Sequence, residues 1–355
     1  MGVFEVEPQE FPDRVSFNHY LAEHYDTLIE NDLYVIAGLT EYSREDFLDL
    51  LRNDGYEVVE DYGGIQKIRC DYGGDRPAEF YLSYDVEDNV ILFYTDMRKT
   101  EEVENTIEPF LENKPGVHYL YISPSLLQDI REKIVSEDPA TEITEFVAKR
   151  TERTDTSARF RPEEWRTINY YGRDGLESLR EMEEHYGVLP RIMEFNVPGD
   201  LCFRINHEGV FKLKNGSLKR LFKHIETCIE EALKVKQAYE RTDFEMITAS
   251  AQLEVPTSEP AAITLNNRIR YHELDGLKDS MQDRDYVLVG SYSEEGSLYF
   301  TTEVIDQVKN STFRIKANED QIRIFPQDES DLGTFYRFYE FIQDSVDESA
   351  ELAPA

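Results

Sequence analysis

The chain has 355 residues, 40% hydrophobic and 12% aromatic, which is enough apolar material for packed cores and argues against wholesale disorder. Asp and Glu outnumber Lys and Arg by 73 to 38, giving a formal net charge of −35. No apolar stretch approaches the roughly 20 residues of a membrane span, and Cys70, Cys202 and Cys228 form no CxxC, so neither a disulfide framework nor a zinc knuckle is implied.

In chain order, SFNHYLAEHYDTLIEN (16–31) reads as a helix, DLYVIAGL (32–39) as a buried strand and REDFLDLLRNDGY (44–56) as an amphipathic helix ended by Asp-Gly. A hairpin around Gly63-Gly64 follows, then the strands EFYLSYD and NVILFYTD, the helix TEEVENTIEPFLEN, the strand VHYLYIS and a helix opened by Pro124. ITEFVAKR closes this part as a strand or helix end. KRTERTDTSARFRPEEWR (149–166) is polar and aperiodic and holds the only tryptophan, Trp165. It reads mostly as a linker. The expected organisation is α+β in two domains: a mixed α/β domain over 1–150, a linker over 151–164, an antiparallel-sheet domain over 165–346 and a disordered acidic tail over 347–355.

Beyond the linker come the strand RTINYYG, the helix GLESLREMEEHYG, and the strands RIMEFNV, LCFRINH and VFKLK. Ser217 is placed to cap a helix over 218–237, whose Leu218, Leu221, Phe222, Ile225, Ile229, Ala232 and Leu233 form one stripe. NNRIRYHEL is a predicted strand and DGLKDSM a short helix. YVLVGSY and SLYFTTE make a hairpin, and residues 313–345 read as strand, turn, strand and helix. FRINHEGVFKLKNGSLKRLFKHI and FRIKANEDQIRIFPQDESDLGTFYRFYEFI look like two copies of one unit, each preceded by Asp-Gly-Leu opening a helix. Residues 80–111 are a weaker third copy.

One basic island interrupts the acidity. Residues 203–224 hold Arg204, Lys212, Lys214, Lys219, Arg220 and Lys223 against Glu208 alone, a local sum of +5. Strand parity divides it. Phe203, Ile205, Phe211 and Leu213 face a core, so Arg204, Lys212 and Lys214 face away. In the second copy Phe313, Ile315, Ile322 and Ile324 face inward, leaving Arg314, Lys316, Arg323 and Phe325 outside. If both hairpins belong to one sheet, six cations and an aromatic share its open face, a polyanion platform. Lys219, Arg220 and Lys223 form a separate helical surface.

The order of elements over 165–345 resembles that of TATA-binding-protein-like domains. The resemblance implies a curved antiparallel sheet with helices on its convex face and a free concave face. No residue motif of a TATA-binding protein accompanies it, and element order alone carries no function. The spread of acidic residues, with only 14 lysines among 38 basic residues, resembles salt-adapted proteins. Molar salt screens such self-repulsion to about 3 Å. The start, MGVFEVEPQEF, lacks the basic and apolar regions of a secretory signal, and a cytoplasmic location is the expectation.

Catalytic fingerprints are absent: there is no GxGxxG, P-loop, HExxH or GxSxG. A restriction-nuclease-like Glu/Gln-x-Lys spacing occurs at Glu112-Asn113-Lys114 and at Gln307-Val308-Lys309, the latter after a hairpin that carries Asp285. Gln66 and Lys67 are adjacent and point to opposite faces. The expected function is therefore non-enzymatic binding of nucleic acid or another polyanion through the sheet face. A regulatory protein docking an acidic partner is the alternative, and a metal-dependent enzyme the third reading. No cofactor, metal set, membrane or small-molecule substrate is indicated.

Overall fold

A computed structural model describes residues 3–74, 76–97, 102–150, 165–250, 253–269, 273–293, 299–327 and 330–353. The helix α1 (Arg14–Leu28) starts at Asp13, whose carboxylate accepts from the Ser16 N–H while Ser16 answers with its own hydroxyl. After β1 (Leu33–Thr40), Ser43 caps α2 (Arg44–Asn53). Four strands form a meander: β2 (Tyr56–Asp61), β3 (Ile65–Cys70), β4 (Ala78–Tyr84) and β5 (Val90–Thr95). Next come α3 (Ile107–Asn113), β6 (Val117–Tyr119), α4 (Pro124–Glu137) with Ser123 as cap and Pro124 in the first turn, and β7 (Glu142–Arg150).

The chain continues with β8 (Arg166–Tyr171), α5 (Gly175–Tyr186), β9 (Leu189–Val197), β10 (Leu201–Asn206) and β11 (Val210–Gly216). Gly216 ends β11 at φ +98°, where a Cβ would sit 2.1 Å from the Asp200 carbonyl oxygen. Only glycine meets both demands. Ser217 then caps α6 (Leu218–Glu240) as its sequence predicts. The ribbon β12 (Asp243–Ser250) and β13 (Leu253–Glu259) precedes β14 (Ala261–Thr264), α7 (Glu273–Gln282), β15 (Tyr286–Ser293), β16 (Phe300–Asp306), β17 (Ser311–Ala317), β18 (Gln321–Pro326), α8 (Leu332–Ser345) and β19 (Glu351–Leu352).

The fold is α+β, with eight helices and two large antiparallel sheets among the described residues. The first sheet has eleven strands in the order β2-β3-β4-β5-β1-β11-β10-β9-β7-β8, with β6 also paired to β1. The second has six, β15-β16-β17-β18-β14-β19. Residues 151–164 lie outside the described residues, but the first sheet does not part there. β7 and β8 pair across that segment, and Tyr34 of β1 stands opposite Lys212 of β11. The division between sheets falls later, between β11 and β14. Two further corrections concern the C-terminal half. Residues 266–269 form no strand, and 270–272 lie outside the described residues. Residues 347–353 of the expected acidic tail are instead packed: Asp347 accepts the Asn266 and Asn267 N–H groups, Ala350 is buried and β19 pairs with β14.

Each sheet-and-helix unit repeats one plan. The strand order β2-β3-β4-β5-β1, with α2 between β1 and β2, matches β15-β16-β17-β18-β14, with α7 between β14 and β15. β1 is buried along its whole length because apolar groups cover both faces. Leu33 and Val35 join one core with Phe17, Phe203 and Leu221, while Ile36 joins Phe47, Phe93 and Phe110 on the other side. α8 lies against the inner face of the second sheet, where Phe338 meets Phe313 at 5.0 Å between ring centroids.

Candidate functional site

Side chains alternate as expected in each hairpin, but the two hairpins lie in different sheets. Arg204 on β10 stands opposite Lys212 on β11, both on the first sheet. Arg314 and Lys316 on β17, with Arg323 and Phe325 on β18, belong to the second. The single platform of six cations is therefore not formed, because the sheet expected to contain both hairpins is two sheets.

On the first sheet the cations serve the protein's own carboxylates. The neighbouring strands bring Glu145 to 2.9 Å from Arg204 and Glu194 to 2.6 Å from Lys214, and Asp32, just before β1, lies 2.6 Å from Lys212. Lys212 also sits 5.4 Å from the Tyr34 ring centroid. On the helix, Arg220 pairs with Asp200 and Glu137, whereas Lys219 and Lys223 are exposed and have no carboxylate within 4.0 Å among the described residues.

The second sheet is different. Its register builds two rows on the open face, Val289-Glu303-Arg314-Phe325 and Tyr292-Thr301-Lys316-Arg323-Ala262. Arg314 and Arg323 are exposed, and Tyr292 and Val289 keep 57% and 45% of their surface open. Lys316 lies 4.6 Å from the Phe325 ring centroid, and Arg323 donates to Gln321. None of Arg314, Lys316 and Arg323 forms an ion pair among the described residues, although Glu303 shares the face. Tyr292, which the sequence reading did not single out, extends the aromatic surface.

A second feature is assembled from residues far apart in the chain. Two adjoining cavities of about 310 and 330 Å³ lie between the first sheet and the α7–α8 unit, sharing Asp283, Arg284 and Glu340. Charged side chains that normally seek water line them. Arg191 of β9 is 4% exposed and pairs with Asp344 of α8, which also accepts from Arg284 at 3.2 Å. The Tyr119 hydroxyl donates to Glu340 at 2.6 Å. Burial, reinforced by Asp344 one turn away and opposed by Arg191, pushes the Glu340 carboxyl up to about 7. Burial, then the nearby Arg191 and Lys149, push His207 down to about 3, so its ring is neutral. Burial also lowers the Lys309 ammonium, and Arg337 donates to the fully buried Asp306 at 3.0 Å.

The nuclease-like triplets resolve into structure. Gln307-Val308-Lys309 is the β16–β17 turn, with the Lys309 ammonium donating to the Glu112 carbonyl at 2.7 Å. Lys114, at the end of α3, pairs with Asp54. Among the described residues no group of three or more His, Cys, Asp and Glu side chains is placed to hold a metal ion. No helix of the described residues is long and apolar enough to cross a membrane.

Comparison with known proteins adds relatives. The AF_0896_M family middle domain matches residues 126–208, from α4 to the turn after β10, a span that includes Arg191 and His207. The chain is similar to an uncharacterized protein of Archaeoglobus fulgidus, 27% identical over 324 residues that make up 87% of each chain. No solved structure matches it.

Proposed function

We propose that the chain is a non-enzymatic binding protein of a salt-adapted cytoplasm that engages single-stranded nucleic acid on the open face of its second sheet. One observation carries the reading. In a chain of net charge −35, Arg314, Lys316 and Arg323 stand beside Phe325 and Tyr292 and form no ion pair among the described residues, even with Glu303 opposite Arg314. Arg204, Lys212 and Lys214, by contrast, are each paired. Unpaired cations suit phosphates, and the exposed Tyr292 ring with the half-buried Phe325 ring suits bases that are free to stack. The order β14, α7, β15 to β18, α8 supports the resemblance to a TATA-binding-protein-like unit, with helices against one face of a curved sheet and the other face free. At molar salt the phosphate term fades. Stacking, worth about 1–3 kcal/mol per base, does not depend on counterion release and sustains binding.

The test is a salt titration of labelled single-stranded RNA and DNA against the full chain. Neutralising three phosphates predicts a log–log slope of about −2, or roughly 100-fold weaker binding between 0.1 and 1 M KCl. Arg314→Glu with Lys316→Glu flattens the slope, Phe325→Ala weakens binding at every salt, and Lys212→Glu changes neither. Absence of binding at any KCl concentration, with an acidic protein captured through the same residues, would replace this reading with the partner-docking one.

A further inference from the structure

We propose that the larger cavity between the first sheet and α8 is a binding site for a small molecule bearing an oxyanion, a phosphate ester or a carboxylate, held at Arg191. Arg191 shares the inward row of β9 with Met193 and Phe195 and is 4% exposed. Only part of its guanidinium is used. One nitrogen pairs with Asp344, while Nε and Nη1 are buried and meet no acceptor from the described residues. Buried donors without acceptors are costly and rare, and a guanidinium is shaped to hold the oxygens of a carboxylate or phosphate. The cavity it lines, about 330 Å³, falls within the range of small-ligand sites.

The surrounding groups suit the same ligand. Lys149 stands exposed at the rim of the cavity, with no ion pair among the described residues, and supplies a second cation. His207 closes the wall; its Nδ1 is 2.7 Å from Asn206 Oδ1, and its backbone N–H donates to the Arg191 carbonyl at 2.8 Å, which fixes the Arg191 strand end. Three carboxylates also line the cavity: Asp344 is engaged by two arginines and Glu340 by Tyr119, while Asp283 forms no ion pair among the described residues and sits with Arg284 on the wall. The site spans β9 and α8, so an occupant would also tie the first sheet to the second unit.

Trp165, the only tryptophan, lines this cavity and reports on it. Inorganic phosphate and malonate are titrated into the full chain at constant ionic strength, followed by Trp165 fluorescence and by calorimetry. A saturable response to one probe is expected, and the responding probe identifies phosphate or carboxylate as the group recognised. Lys149→Gln, at an exposed position, should weaken that response roughly tenfold. Arg191→Lys, checked for folding by circular dichroism, should weaken it further, and Arg314→Glu should leave it unchanged. No saturable response to either probe by either readout, or wild-type affinity in Lys149→Gln, would overturn the proposal.

Discussion

Replacing Glu340 by glutamine should remove a pH dependence of stability that the cleft builds into the fold. Glu340 is faced by Asp344 and Arg337 from α8, Tyr119 from β6, Arg191 from β9, and Arg284 and Tyr286 from the start of the second sheet. Its carboxyl rises from the ordinary 4.5 to about 7, with burial as the main cause. The folded protein then binds more protons than the unfolded chain between those values, so stability falls as pH rises through that window and levels off above it. Each pH unit is worth about 1.4 kcal/mol, which sets an upper bound of about 3 kcal/mol, reduced by whatever water the cleft admits. In Glu340→Gln the new side chain keeps an oxygen for the Tyr119 hydroxyl and carries no charge. Urea unfolding at pH 5, 6, 7 and 8 and fixed KCl, followed by Trp165 fluorescence and circular dichroism, measures the difference between the two proteins. His207, whose value is lowered, contributes the opposite slope in both proteins and cancels in the comparison. The variant should gain on the wild type by at most about 2 to 3 kcal/mol from pH 5 to pH 8. Parallel pH profiles would refute the account of Glu340 as a carboxyl held away from ionisation.

Other expectations follow from single contacts. Arg337→Ala leaves the Asp306 carboxylate buried with only the backbone N–H groups of Val308 and Lys309, and should cost about 3 kcal/mol or more in urea unfolding. Gly216→Ala puts a methyl against the Asp200 carbonyl at a positive φ and should cost roughly 2 kcal/mol or more, while Gly199→Ala, which meets nothing within 4 Å, should cost less. Fragments 1–150 and 165–355 should not fold apart, because β1 needs β11 and β7 needs β8 and β9. Expressed together they should co-purify as one particle; a monomeric, cooperatively unfolding 1–150 fragment would contradict the shared sheet.

Local structure was legible because local physics writes it. Ser43, Ser123 and Ser217 mark helix starts through a hydroxyl that satisfies an orphan N–H. Strand alternation correctly placed Phe203, Phe211, Phe313 and Ile324 inside and Arg314 and Arg323 outside. The ribbon of β12 and β13 went unread, since Asp243–Ser250 and Leu253–Glu259 alternate weakly and a proline interrupts the second strand. Arg191 gave a faint signal, a charge on the same strand parity as Met193 and Phe195, and Glu340 and Asp344 lay one helical turn apart beside an aromatic stripe.

The sequence alone determined the helix starts, most of the hairpins, the inward and outward rows and the acidity of the chain, because each depends on neighbours within a few residues or on composition. Tertiary structure alone decided which hairpins share a sheet, and so which cations meet carboxylates. Arg204, Lys212 and Lys214 are paired because Glu145, Asp32 and Glu194 arrive on other strands or just before one. Arg314, Lys316 and Arg323 form no ion pair on the second sheet among the described residues, although Glu303 stands opposite Arg314. The cleft around Arg191 exists only where β9 meets α8, far along the chain, a separation over which periodicity carries no information.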